Sequence, residues 1–99
     1  MILHLVLFRF RADVEPERLE RVGRALREMK RGIPEIRDIR FGPNLGPSAA
    51  EYPHALTVLL DDMAAVQRYL DHPVHRRTVD EHVAPIREAR LAVDVEWGG

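Results

Sequence analysis

The chain contains no cysteine. That excludes a disulfide framework, thiolate metal sites and a cysteine nucleophile, and it points to a reducing compartment, the cytoplasm. Aromatic residues are also sparse, 6% of 99 residues with a single Trp, and there is no excess of either charge: 15 Lys+Arg against 16 Asp+Glu, a net charge of −1. A domain that binds nucleic acid carries a basic stripe to neutralise phosphates, so no nucleic-acid partner is expected. Long apolar runs are missing too. The apolar run at residues 1–8 is interrupted by His4 and followed at once by Arg9 and Arg11. It is too short to span a membrane and has the wrong flanks for a signal peptide, so neither a membrane partner nor a targeting segment is expected. No GxGxxG, phosphate-binding Walker loop or GxSxG sequence occurs, and no cofactor is expected.

What is present is ordinary for one folded domain, residues 1–99, with 45% hydrophobic and 31% charged residues. Residues 2–10 are dense in strand formers. Ile2, His4, Val6, Phe8 and Phe10 share one face, and Leu3, Leu5, Leu7 and Arg9 share the other. Both faces are apolar for most of their length, which predicts a central strand covered on both sides. Residues 16–31 switch to helical period, with Leu19, Val22, Leu26, Met29 and Ile33 in one stripe. Pro16 suits the first helical turn, and Gly32 and Pro34 are read as the stop.

A short strand is predicted at 36–42, then a loop rich in Gly and Pro at 42–53. His54, Leu56, Val58 and Leu60 next alternate with Ala55, Thr57 and Leu59, a third strand. Asp61 or Asp62 caps a helix to about Leu70, with Met63, Val66, Tyr69 and Leu70 read as inward. His72-Pro73 breaks it, and Pro73 opens a further helical piece to about Val83. The last strand, 90–97, sets Leu91, Val93, Val95 and Trp97 against Ala92, Asp94 and Glu96. The order β-α-β-β-α-β is that of the α+β, ferredoxin-like fold with a four-stranded antiparallel sheet.

That order leaves an excess of apolar surface. Helices cover one face of such a sheet, yet Leu3, Leu5, Leu7, Ala55 and Leu59 lie on the other. A bare apolar face of this size is sticky, and two-fold pairing through it removes the problem. The pattern therefore predicts a homodimer through the sheet.

Several segments resemble the stress-responsive A/B barrel domain (Dabb) family of the dimeric α+β barrel superfamily: HLVLFRF at 4–10, IPEI at 33–36, FGPN at 41–44, EYPHALTV at 51–58 and YLDHPVH at 69–75. Together they cover nearly the whole chain. The resemblance implies ferredoxin-like protomers pairing through their sheets into a dimeric α+β barrel. It implies less about activity, because most such proteins look like stress-linked or accessory proteins and a few are plant-type polyketide cyclases. In those cyclases an imidazole and a tyrosine line an apolar pocket between sheet and helices, and the resemblance matches His4, Tyr69 and His75 to the cyclase residues.

The residues point to the same place. His4 lies on the strand face that meets the helices, and the corner at Pro73 can bring Tyr69 and His75 to one end of an apolar cleft floored by His4. Val6, Phe8, Val22, Leu26, Leu56, Leu70 and Val79 are the candidate ligand-lining residues. Two imidazoles and a phenol there suit acid–base work, one group abstracting an acidic C–H proton and another polarising the carbonyl. Buried imidazoles and helix-end tyrosines equally serve packing and backbone hydrogen bonds. Pro73 places His75 in a first helical turn; helix dipole and burial should both hold it below the usual value of about 6.5, as a neutral general base.

The other imidazoles read as structural: His72 capping the helix at Pro73 or pairing across the dimer, His54 at the pocket rim or dimer edge, His82 solvated beside Asp80 and Glu81. His72 and His75 with Asp71 or Asp80 form a candidate metal set, but Pro73 spoils the geometry that would converge the rings, so no metal is assigned. A haem-linked role, known elsewhere in the superfamily, would need an axial His such as His75 in a large pocket. Two classes stay open: a small dimeric binding or accessory protein with a small apolar ligand, and a cofactor-free polyketide cyclase/lyase-like enzyme with His75 as base, Tyr69 as donor and His4 as a second polar anchor.

Overall fold

The computed structural model describes residues 1–98. These form β1 (Ile2–Phe10), α1 (Pro16–Gly32), β2 (Asp38–Pro43), β3 (His54–Leu60), α2 (Met63–Asp71), α3 (Pro73–Thr78) and β4 (Arg87–Glu96), with a π-helical turn over Val79–Val83. The sheet is antiparallel in the order β2-β3-β1-β4, the ferredoxin-like arrangement.

The alternation along β1 is what organises the two sides. His4, Val6, Phe8 and Phe10 are buried beneath the helices, while Leu3, Leu5 and Leu7 are only half-buried. On β3 the same split separates buried Leu56, Val58 and Leu60 from half-buried Ala55, Thr57 and Leu59. In register, Leu3, Leu5 and Leu7 oppose Leu59, Thr57 and Ala55 on one side and Val95, Val93 and Leu91 on the other. Directly opposed residues share a face. The outer face is thus one apolar surface across three strands, and on β4 it is open: Leu91 is 47% exposed, Val93 41%, Val95 50% and Trp97 54%. Trp97 donates its N–H to the Met1 carbonyl at 2.8 Å, so the ladder continues one step past the end of β4.

Helix α1 packs across β2 with Val22, Leu26 and Met29 buried, and Ile33 closing its end. Two glycines make the packing close. A Cβ on Gly23 would meet the Phe41 ring at 3.0 Å, and one on Gly32 would meet Val74 of α3 at 3.1 Å. Helix α1 ends at Gly32 as expected, without a left-handed residue there. Ile33 is the cap, and the missing side chain of Gly32 lets α3 approach.

Other boundaries differ for local reasons. β2 starts at Asp38, because Ile36 closes a turn onto the Ile33 carbonyl (3.2 Å) before the strand begins. The 42–53 loop folds into a 3₁₀ turn at Pro47–Ala50, tied by Asn44 to the Ser48 hydroxyl and the Tyr52 carbonyl, each at 2.9 Å. Asp62 caps α2, its Oδ1 accepting the Ala65 N–H at 2.8 Å. Met63 stands at the start of that helix, beside the buried Ala65–Val66–Tyr69 stripe, and is exposed rather than inward. β4 begins at Arg87, three residues before the predicted 90.

Candidate functional site

The corner at His72-Pro73 sets the site. Proline disfavours helical backbone at the residue before it, and His72 is extended (φ −66°, ψ 136°). Its Nδ1 accepts the Val74 N–H at 3.1 Å, so His72 caps α3 as expected. The chain then doubles back, and His75 packs onto Tyr69 with ring centroids 4.6 Å apart. Tyr69 in turn meets His4 of β1 edge-on at 5.8 Å. The three candidate residues, distant in sequence, form one contiguous row.

Beside this row lies a cavity of about 120 Å³. Its wall includes His4, Tyr69 and His75 together with six of the seven lining residues read from the sequence: Val6, Phe8, Leu26, Leu56, Leu70 and Val79. Val22 is the exception. It is buried in the core one helical turn from Leu26 and does not reach the cavity. Met29, Val83, Arg87 and Arg90 complete the wall and were missed. Met29 was visible in the α1 stripe but read as core. Arg87 lies before the predicted start of the last strand, and Arg90, its first predicted residue, gives no sign of facing the cavity until the strand is paired.

Hydrogen bonds orient both imidazoles. His4 Nδ1 lies 2.7 Å from Asp94 Oδ1, and a carboxylate only accepts, so Nδ1–H donates and Nε2 is left free. His75 Nδ1 is 3.0 Å from the Leu70 carbonyl oxygen. A carbonyl also only accepts, so His75 donates there, and in the neutral ring Nε2 carries the lone pair. Asp94 was not singled out in the sequence, although it faces His4 across the β1–β4 ladder.

Burial decides the protonation states. The His75 imidazole is pushed below its usual value, chiefly by burial. The hydrogen bond to Leu70 opposes this, and His4, Arg90 and Arg76 reinforce it. Burial pushes the Tyr69 phenol well above its usual value, against a smaller opposite pull from Arg90. At neutral pH the row therefore holds a neutral imidazole that can accept a proton and a phenol that keeps its own to donate.

The remaining histidines stand apart from this cavity. His54 lies on the inner sheet face between Phe10 and Phe41, with ring centroids 5.3 and 5.8 Å away. It opposes Phe8 in the ladder and is absent from the cavity wall. Its Nδ1 is buried without a hydrogen-bond partner among the described residues, and burial lowers its pKa. His82 is half-buried rather than solvated, on the π-helical turn. No cluster of three His, Asp or Glu side chains suited to a metal ion occurs among the described residues. A cavity of about 120 Å³, comparable with the roughly 150 Å³ engineered cavity that binds one benzene, has no room for a porphyrin.

The two depressed imidazoles make stability depend on pH in a definite direction. In the unfolded chain both rings take up a proton near about pH 6.5. In the folded chain His75 and His54 resist protonation until lower pH. Between those values the unfolded state binds more protons, so stability is complete above about 6.5 and falls as pH drops through the folded values. Asp38 and Asp61, held low by Arg40 and Arg37, titrate beneath this window. We expect the urea midpoint to be lower at pH 5.5 than at 7.5, with His75→Gln reducing the difference. An equal or higher midpoint at pH 5.5 contradicts the burial of these rings.

The family model described as the Stress Responsive A/B Barrel Domain matches residues 2–97. An uncharacterized protein of Streptomyces coelicolor is 35% identical over 82 residues, covering 80% of this chain and 84% of that one. A dimeric ferredoxin-like protein of unknown function from Thermobifida fusca superposes with a TM-score of 0.82 at 35% identity, covering 97% of this chain and 90% of the other. The hydroxynitrile lyase of Passiflora edulis shares the fold, with a TM-score of 0.83 at 17% identity over 95% of this chain and 90% of that one. No helix among the described residues is long and apolar enough to cross a membrane.

Proposed function

The chain belongs to the stress responsive A/B barrel domain family, and on that premise we propose that it is a small homodimeric binding protein whose cavity between sheet and helices holds a small ligand with an apolar body. One observation carries this reading: a mainly apolar cavity of about 120 Å³ has His4, Tyr69 and His75 together among the polar side chains of its wall. Pockets of this composition, apolar walls with a few convergent polar groups, are the usual form of small-molecule sites. The absence of cysteine fits a reducing compartment, and the reading assigns the protein to the cytoplasm.

The dimer follows from the outer sheet face. Leu3, Leu5, Leu7, Ala55 and Leu59, extended by Leu91, Val93 and Val95, form the interface of this reading. Pairing this face with a second copy would bury more than about 1,200 Å² in total, the range of specific interfaces. The T. fusca neighbour, described as dimeric, supports the assignment.

Titration of the ¹⁵N-labelled protein with benzyl alcohol, a neutral probe with an apolar ring, tests the cavity. We expect saturable shifts centred on Val6, Leu26, Leu56 and Val79. Shifts confined to the outer sheet face, or none at millimolar probe, would overturn the reading.

A second reading is favoured by the His75 tautomer. With Nδ1–H given to Leu70, Nε2 carries the lone pair, and the ring lies against a phenol that stays protonated. That pair suits a cofactor-free cyclase or lyase acting on a polyketide-like β-carbonyl substrate: His75 removes the proton, Tyr69 hydrogen-bonds the developing oxyanion, and His4 anchors the other end. The P. edulis lyase supports this only by showing that the fold is compatible with an enzyme.

A further inference from the structure

The cavity has a charged mouth that an apolar ligand alone would leave unused. Arg87 and Arg90 stand on its wall beside Phe8, Tyr69 and His75. In a regular strand, residues three apart point to opposite faces. Here the ladder slips: Phe8 opposes Arg90, Arg9 opposes Ala89, and Phe10 opposes Arg87. Glu88 is the extra residue of a β-bulge, and the bulge turns both guanidinium groups to the face that carries Phe8 and Phe10. Re-aiming side chains beside a site is a recurrent use of such bulges.

The protein does not neutralise this pair itself. Among the described residues, the ion pairs of arginine involve Arg9, Arg11, Arg24, Arg37, Arg40, Arg68 and Arg76, and neither Arg87 nor Arg90. Arg87 is half-buried and Arg90 exposed; what sets them apart from other arginines without such a pair, Arg27 and Arg31 on α1 for example, is that both line the cavity. The neighbouring carboxylates of β4 are engaged, Glu88 with Arg9 at 2.7 Å and Asp94 with His4 at 2.7 Å. A guanidinium keeps its charge at any working pH, and its planar fork matches a carboxylate.

We propose that Arg87 and Arg90 form a carboxylate-binding mouth, and that the ligand is a small organic acid whose apolar body enters the cavity while its carboxylate is held by the two guanidinium groups. The inference rests on the cavity reading above and specifies its ligand class. Volume limits the apolar body to about one ring or a short branched chain. Arg90 is also near enough for its charge to act on Tyr69 and His75, so a carboxylate held there lies next to the polar row.

The test compares benzoate with benzyl alcohol, probes of like size differing in charge, by NMR titration of wild type, Arg87→Gln and Arg90→Gln. Benzoate is expected to bind the wild type about tenfold more tightly, the gain typical of one or two charge-assisted hydrogen bonds. Each substitution should remove several-fold of that advantage and leave benzyl alcohol affinity within about twofold. Should a variant fail to fold, the wild type alone decides, because the benzoate advantage must shrink with added salt. Equal affinity for the two probes at the cavity, or a benzoate advantage that neither substitution nor salt alters, overturns the carboxylate mouth and leaves the cavity reading standing. Failure of both probes to reach the cavity overturns both.

Discussion

Leu5→Lys is expected to sediment as a monomer of about 11.4 kDa at micromolar concentration, and the unaltered chain as a dimer. Leu5 sits at the middle of the outer face, with Val93 and Thr57 directly opposite in the two neighbouring strands. Across a two-fold axis each copy presents the same patch, so one substitution places two ammonium groups in the apolar centre. An uncompensated buried charge costs about 3–5 kcal/mol, which raises the dissociation constant by roughly a thousandfold. The protomer core should survive, because Leu5 is only half-buried within it. A Leu5→Lys dimer as tight as the original would mean that the sheet face is not the interface.

The second large effect belongs to His75. On the enzyme reading, His75→Ala lowers turnover of a linear β-polyketide substrate by about 10²–10⁴-fold, the contribution of a positioned general base. The fold should persist, because the His75 ring makes a single hydrogen bond, to the Leu70 carbonyl, and His75→Ala keeps the backbone bonds of α3. Tyr69→Phe should cost less than His75→Ala, because a hydrogen-bond donor to the oxyanion is lost while the base remains. Turnover undiminished in His75→Ala removes the base assignment. Absence of turnover in the unaltered chain removes the enzyme reading and leaves the binding protein.

Much of this arrangement was legible in the chain. Period-two alternation in β1 and β3 identified both sheet faces, and the surplus of leucine on one of them pointed to a partner surface. Pro73 marked the corner that brings Tyr69 and His75 together, and the face shared by His4 and Phe8 put the first imidazole under the helices. Illegible features were those that depend on register or on close approach. The β-bulge at Glu88 breaks the alternation that strand reading relies on, which hid Arg87 and Arg90. Asp94 becomes a partner of His4 only once β1 and β4 are paired. Val22 and Leu26 carry the same periodic signal, yet only Leu26 reaches the cavity. Gly32 ends α1 as its sequence context suggests, but nothing local reveals that its missing side chain also admits Val74.

Both readings place His75 on the cavity wall, as a neutral ring with Nδ1–H bound to Leu70 and packed against Tyr69. Long-range ¹H–¹⁵N correlation of the imidazoles across a pH titration reads this directly. The prediction is a protonated Nδ1 and an unprotonated Nε2 at pH 7, with titration below the ordinary value of about 6.5. An Nε2–H tautomer, or a His75 that titrates at or above about pH 7, would contradict it.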